Sequence, residues 1–264
     1  MVRRARLDAE LVRRGLARSR EQASEFVLAG RVRVGGVRAT KPATAVAPDT
    51  PLLVDDVDDD PGWASRGAHK LLGALAAFPG IGVEGRRCLD AGASTGGFTD
   101  VLLRAGAREV VAVDVGYGQL VWSLRQDGRV IVYDRTNVRA IGPDDIGGPA
   151  DLVVADLSFI SLRLVLPALA ACTEPDGDLL PMVKPQFEVG RERLGSGGVV
   201  REPALRTNAV RSVAMRAWEH GFGVAGVVAS PLPGPAGNVE FFLWLRRDAP
   251  ALDDAALLAA VGAT

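Results

Sequence analysis

Cysteine, histidine and aromatic residues are scarce in this chain. With two cysteines, two histidines and 5% aromatic residues among 264, several classes of protein fall away at once. Cys88 and Cys172 stand far apart and suit buried thiols in a reducing compartment, which excludes a disulfide scaffold. With His69 and His220 they show no metal-ligand spacing, so neither a zinc site nor any other metal is expected. Long apolar runs are also missing. The longest, around Leu164 to Cys172, is interrupted by Pro167 and falls well short of the roughly 18 residues that span a bilayer. The N-terminus is basic without an apolar signal core, so the expected location is the cytoplasm, with no membrane partner.

What the chain does have is apolar residues, 48% of the total, enough for a sizeable core, and an uneven charge distribution. A net charge of −1 conceals eleven basic against four acidic residues in positions 1–41. Such a local excess is the electrostatic footprint of a polyanion-binding module. The same segment reads as two short helices and a hairpin. In "LDAELVRRGLA", Leu7, Leu11 and Leu16 share one face. Ser19, with Gln22 three positions on, reads as the cap of a second helix that ends at Gly30. "RVRVGGVRA" then reads as two strands around Gly35–Gly36, with Val32, Val34 and Val37 inward and Arg31, Arg33 and Arg38 outward.

The stretch "RLDAELVRRGLARSREQASEFVLAGRVRVGG" resembles the small α+β RNA-binding domain first known from ribosomal protein S-four. The resemblance implies binding of RNA by shape and phosphate contacts, which position a protein without reading sequence. Arg4, Arg6, Arg18, Arg20, Arg31 and Arg33 are the candidate contacts. Residues 42–62 are rich in proline and aspartate; "TPLLVDD" completes the small domain as a strand, and "DDVDDDPG" reads as a solvated linker. The expected organisation is a small domain over 1–60, a linker over 61–66, a large domain over 67–247, and a tail over 248–264 that forms a short helix.

Beyond residue 80, apolar strand-like runs alternate with helical stretches. Strands are expected at 86–90, 109–114, 130–134, 151–156, 179–184, 224–230 and 239–245. Continuous apolar runs such as "DLVVAD" suit a parallel sheet covered on both faces, a doubly wound α/β domain with seven strands. The first strand runs into "LDAGASTGGFTDVLL", a glycine-rich turn between strand and helix that lets backbone approach a ligand. The second ends at Asp114, 24 positions after Asp90, where an acid would receive ribose hydroxyls. Asp90 at a strand end would repel a dinucleotide pyrophosphate and welcome a cationic sulfonium and ammonium. "DAGASTGGF" is similar to the first motif of class I, Rossmann-like methyltransferases, specifically the FtsJ-like RNA ribose methyltransferases. By that similarity Asp90, Gly92, Ser94, Gly96 and Gly97 hold the methionine end of S-adenosylmethionine, and Asp114 holds its ribose. Phe98 and the Asp134–Asn137 region, with Asn137 its candidate residue, line the pocket; helix core packing is the alternative for Phe98.

Ligands of open α/β sheets lie outside the carboxyl ends of the parallel strands. Asp90, Asp114, Asp134, Asp156 and Lys184 each terminate an expected strand, and Glu240 joins that rim if the last strand runs antiparallel. Taken singly, Asp156 could cap a helix, Lys184 and Glu240 could be surface residues, and Lys70 could be an ordinary helix-face lysine. Together, Lys70, Asp156, Lys184 and Glu240 resemble the Lys-Asp-Lys-Glu tetrad of ribose 2'-O-methyltransferases. Their contexts agree: "SRGAHKL", "VVADLSFISL", "VKPQFEVG" and "PGPAGNVEFFLWL".

From about Arg6 to about Arg246 the chain resembles the TlyA family of ribosomal-RNA methyltransferases. That resemblance implies cytidine 2'-O-methylation of small- and large-subunit ribosomal RNA, with S-adenosylmethionine as cofactor and ribosomal RNA or ribosomal subunits as partner. Lys184 would assist loss of the hydroxyl proton, as a neutral base or as a cation facing developing negative charge. Asp156 would orient it, and Lys70 and Glu240 would position the ribose. Asp156 also borders the cofactor. Three other readings compete: a non-catalytic RNA-binding assembly factor; a membrane-active cytolysin, a label attached to this family; and a methyltransferase acting on a base or a small molecule, which the strand end "ADLSF" does not suit.

Overall fold

The computed structural model describes residues 4–17, 19–54 and 62–264. The chain divides into two compact units, Met1–Gly62 and Trp63–Thr264.

In the small unit β1 (Ala5–Arg6) leads into α1 (Leu7–Arg13), and α2 (Arg20–Leu28) follows. Ser19 caps α2: its hydroxyl accepts from the Gln22 N–H at 3.1 Å, satisfying a donor that the helix itself cannot. Strands β2 (Val32–Val34) and β3 (Val37–Arg38) form the hairpin around Gly35–Gly36. β4 (Ala45–Val46) pairs antiparallel with β1, and β5 (Leu52–Val54), the strand expected within "TPLLVDD", pairs with β2. Leu7, Leu11, Ala23, Val27, Val32 and Val46 form the core.

Three expectations need correction. Leu16 lies beyond the end of α1 and is only partly buried. Val37 is 72% exposed: it faces Val34 across the hairpin, but at the tip, where no core lies beneath it. Arg31 is half-buried, its guanidinium 4.5 Å from the centre of the Phe26 ring. Arg18 and most of the acidic stretch, residues 55–61, lie outside the described residues.

The large unit begins with α3 (Gly67–Ala77), β6 (Arg87–Ala91), α4 (Gly97–Arg104), β7 (Glu109–Val113), α5 (Trp122–Arg125), β8 (Val130–Tyr133) and β9 (Ala150–Ala155). It continues with α6 (Leu162–Ala171), β10 (Thr173–Val183), α7 (Pro185–Glu188), α8 (Pro203–Trp218), β11 (Gly223–Ala229), β12 (Phe241–Arg246) and α9 (Asp254–Gly262). The seven strands lie in the order β11-β12-β10-β9-β6-β7-β8. β8, β7, β6, β9 and β10 run parallel, while β12 is antiparallel to both β10 and β11.

Alternation along each strand builds a core on each face, because successive side chains leave a strand on opposite sides. Leu89, Val111, Val153, Leu179, Val183, Phe241 and Leu243 face one way, towards α6, α8 and α9. Cys88, Val110, Ala112, Leu152, Val154, Leu180, Met182 and Phe242 face the other, towards α3 and α4. Burial on both sides explains why these strands read as unbroken apolar runs. The tail carries α9, capped by the Asp253 side chain, and buries Leu257 and Val261 in the first of these cores.

Candidate active site

Strand register brings the far-flung charges together. Val183 pairs with Phe241, so Lys184, one residue later, and Glu240, one residue earlier, leave neighbouring antiparallel strands at the same edge. Asp156 follows β9, the parallel neighbour of β10 on its other side. Neighbouring strands lie about 4.8 Å apart, so side chains at such positions can share one site.

Two ion pairs result. Lys184 Nζ stands 2.6 Å from Asp156 Oδ1 and donates to Ser158 Oγ at 2.9 Å. Lys70, carried by α3, donates to Glu240 Oε2 at 2.6 Å, with both side chains buried. The second Glu240 oxygen, Oε1, is buried without a hydrogen-bond partner and faces Gly234, where a Cβ would come within 2.6 Å of it. All four tetrad residues thus sit at one rim, and Lys70 and Glu240 are neither surface residues nor simple helix-face charges.

Beside this rim lies a cleft of about 410 Å³, within the range of small-ligand sites. Gly92, Ser94, Asp114, Asn137 and Asp156 line it, together with the 157–160 segment. Gly92 has φ of +91°, and a Cβ there would meet the Asp156 carbonyl oxygen at 2.6 Å, so only glycine lets the loop pass this close. Ser94 donates its backbone N–H to Asp114 Oδ2 at 2.8 Å, and Gly116 donates to Oδ1 at 2.7 Å. The Asp114 carboxylate is thereby aimed from the end of β7. Asn137 is exposed, and its side chain accepts from the Arg139 N–H at 3.0 Å.

Four expected cofactor residues do not form the cleft wall. Phe98 is 3% exposed and packs on Phe242 with ring centres 6.1 Å apart, because α4 turns it towards the sheet; the core alternative holds. Gly96 and Gly97 serve close packing: a Cβ on the first would meet Leu124 at 2.4 Å, and one on the second Ser65 at 2.3 Å. Asp90 lies inside β6 and is fully buried, with Oδ2 accepting from Thr99 Oγ1 at 2.7 Å. Burial pushes its carboxyl up to about 7, and the Asp156 and Asp114 charges add to the shift. Its Oδ1 has no hydrogen-bond partner. Asp134, another strand-end acid, is ion-paired to Arg125.

These features fit S-adenosylmethionine. Asp90 Oδ1 is an unspent acceptor behind the glycine turn, and the Gly92 cradle leaves room that a Cβ would fill. Asp114 stands where a ribose diol would be held. Among the described residues no group of three or more His, Cys, Asp and Glu could hold a metal. No helix among them is long and apolar enough to cross a membrane.

Residues missed by sequence reasoning cluster after Asp156. Ser158 contacts Lys184, and Phe159 lines the cleft at φ of +65° while 92% exposed. The stretch "VVADLSFISL" holds both, but nothing in it signals a left-handed phenylalanine.

In the small unit, Arg4 and Arg33 are exposed. Arg6 and Arg20 converge on the buried Asp8 carboxylate at 2.8 and 3.1 Å, and Arg6, then Arg20, hold that carboxyl down at about 2. Arg13 and Arg14 clasp Glu10, and Arg14 also donates to the Thr50 carbonyl at 2.7 Å, so these two are structural.

Sheet order, glycine turn and cleft define a class I methyltransferase fold, and comparison with known proteins places it among the FtsJ-like methyltransferases. The model of FtsJ-like methyltransferases matches residues 63–247, and that of the S4 domain matches residues 5–50. The 16S/23S rRNA (cytidine-2'-O)-methyltransferase TlyA of Mycobacterium tuberculosis is 65% identical over 246 residues, 93% of this chain and 91% of that one. Hemolysin A of Brachyspira hyodysenteriae is 36% identical over 237 residues, 89% and 97% of the two chains. A solved structure from Streptococcus thermophilus bearing a hemolysin label is 41% identical, with a TM-score of 0.79 over 100% of this chain and 96% of that one. The chain belongs to the TlyA family, an S4 domain followed by an FtsJ-like methyltransferase domain.

Proposed function

We propose that this chain methylates the 2'-hydroxyl of cytidine ribose in 16S and 23S ribosomal RNA, using S-adenosylmethionine, in the cytoplasm. The observation that carries the reading is the Lys184–Asp156 pair on neighbouring strand ends, with the Lys70–Glu240 pair joining α3 to the next strand, beside the Gly92–Asp114 cleft. The substrate is that of the 65% identical relative from Mycobacterium tuberculosis.

S-adenosylmethionine supplies an electrophilic methyl group on a sulfonium. The Gly92–Ser94 backbone would hold its amino-acid end, with the buried Asp90 carboxyl behind that turn, and Asp114 would hold its ribose. A ribose hydroxyl is a poor nucleophile, and its proton must leave as the new oxygen–carbon bond forms. Lys184 is the group set to take that proton or to face the developing charge on oxygen. Asp156 and Ser158 fix the direction of its Nζ. Lys70 and Glu240 stand at the same rim, where Glu240 Oε1 is buried without a hydrogen-bond partner. Their contribution would be alignment of hydroxyl and methyl, which lowers the barrier by holding the reacting atoms in line.

Arg4, Arg6, Arg20, Arg31 and Arg33 would meet RNA phosphates, and Arg18 belongs to the same proposal. Arg6 and Arg20 converge on Asp8, which sets their guanidinium groups side by side.

The test is nucleoside analysis of ribosomal RNA incubated with the protein and labelled cofactor. The expected product is 2'-O-methylcytidine; label on a base, or none in RNA, overturns the reading. A cytolysin would lyse membranes irrespective of the tetrad, and an assembly factor would bind RNA without transferring label.

A further inference from the structure

Glu188 ends α7, four residues after Lys184, and its side chain is 1% exposed. A buried carboxylate must find donors to replace lost water. Glu188 finds three, all in one segment. Its oxygens accept from Ser161 Oγ at 2.6 Å, from the Leu162 N–H at 2.7 Å and from Arg163 Nε at 3.2 Å. Ser161 is the N-cap of α6, whose first turn holds no acid of its own. Glu188 therefore supplies, from another element, the negative charge that a helix N-terminus favours.

The tethered segment matters because of what precedes it. Residues 156–161 run from Asp156 through Ser158 and Phe159 to the Ser161 cap. They meet residues 184–188 step by step. Asp156 and Ser158 contact Lys184, and the Phe159 and Phe187 rings lie 5.5 Å apart. Ser161 and Leu162 close the series on Glu188. β9 fixes the upstream end of the segment. Between the two anchors sits Phe159 at φ of +65°, a conformation that a bulky side chain keeps only when its surroundings impose it. With 92% of its surface exposed, Phe159 cannot impose it by its own burial. The downstream restraint comes from Glu188.

We propose that Glu188 is a positioning residue for methyl transfer: by clamping the Ser161 cap it holds the 156–161 segment in register with Lys184. It touches no reacting atom and acts through Asp156 and Ser158, which aim the Lys184 amine. The proposal rests on the reading of the chain as a ribose methyltransferase. Residues 157–160 also line the cofactor cleft, so cofactor affinity falls with them, whereas Gly92, Ser94 and Asp114 belong to turns that Glu188 does not contact; the rate with cofactor bound is therefore the readout.

Single-turnover methylation at saturating S-adenosylmethionine tests this in the full-length protein, with rates normalised to cofactor-binding stoichiometry by calorimetry. Glu188→Gln keeps size and removes the charge, so folding should survive. One amide oxygen cannot serve all three donors. The expected loss in rate is on the order of 10- to 100-fold, the scale of a misplacement of about 1 Å, and it remains when every molecule has cofactor bound. Ser161→Ala should lower the rate by a smaller factor. The double variant should be no slower than Glu188→Gln alone, since both remove one clamp. Glu219→Ala, which removes an exposed ion-paired carboxylate, controls for loss of charge. A Glu188→Gln rate within twofold of wild type overturns the proposal, as do losses that multiply in the double variant. An inactive wild type would instead overturn the methyltransferase reading.

Discussion

The Lys70 ammonium and the Glu240 carboxylate meet at 2.6 Å, shielded from water, although 170 positions separate them in the chain. The contact joins α3 to the start of β12, on opposite sides of the large unit's sequence. Removing one partner leaves an uncompensated buried charge, which typically costs about 3–5 kcal/mol. Lys70→Met should therefore lower the denaturant midpoint strongly. A Lys70→Met/Glu240→Leu pair should recover much of that loss while methyl transfer stays abolished. Urea unfolding of the three proteins checks this; a single variant as stable as wild type would show that the pair is not closed in solution.

Asp90 gives stability an unusual slope with pH. Its carboxyl is raised to about 7 by burial first, then by the Asp156 and Asp114 charges, against about 3.9 in an unfolded chain. The folded protein thus binds this proton more tightly, and stability falls as pH rises from about 4 through 7, then levels. Asp90→Asn should lose that slope and melt a few degrees above wild type at pH 8, at about 2–4 °C per kcal/mol for a unit of this size. At pH 4 the two should melt together. Cofactor affinity should fall in the variant, since the negative charge behind the glycine turn is lost. Calorimetric scans at several pH values read the first effect, and titration reads the second.

Gly92→Ala should fail for two reasons at once. The position has φ of +91°, and the new Cβ would press on the Asp156 carbonyl at 2.6 Å. Strain at such a position costs on the order of 1–3 kcal/mol. The displaced turn also borders the cleft. Titration with S-adenosylmethionine should show binding weakened at least tenfold, with a lowered melting temperature. Unchanged affinity would separate this turn from the cofactor.

In the small unit, RNA binding should show its dependence on the arginines as a salt effect. Each phosphate contact released should reduce the slope of log affinity against log salt by about 0.7–0.9. Arg4→Ala and Arg20→Ala are each expected to lower the slope by about that much, without preference among RNA sequences. Arg13→Ala, which unties only Glu10, should leave the slope unchanged. Filter binding at four salt concentrations is sufficient.

Much of this was legible in the sequence because a buried parallel sheet writes itself as apolar runs with a polar residue at each end. Asp114, Asp156 and Lys184 follow β7, β9 and β10 immediately, so periodicity alone brought them to one rim. The Ser19 cap was legible for the same reason: capping is local chemistry. Contacts set by the fold were not. Gly96 and Gly97 look like cofactor glycines, yet Leu124 and Ser65 are what forbid a side chain there. Phe98 could not be placed until the start of α4 at Gly97 fixed which way it faces. Val37 was expected inward by alternation, but its hairpin tip runs past the core. The Glu188 clamp shows in the sequence only as a carboxylate four residues after a lysine.

The most direct measurement compares wild type and Lys184→Ala on ribosomal RNA, with 2'-O-methylcytidine read by mass spectrometry and S-adenosylmethionine binding read by calorimetry on the same preparations. The account predicts methylated cytidine with wild type and none above background with the variant, while the cofactor dissociation constants agree within about threefold, since Lys184 lies at the rim and outside the cofactor cleft. Methylation by Lys184→Ala at a rate near that of wild type would contradict it.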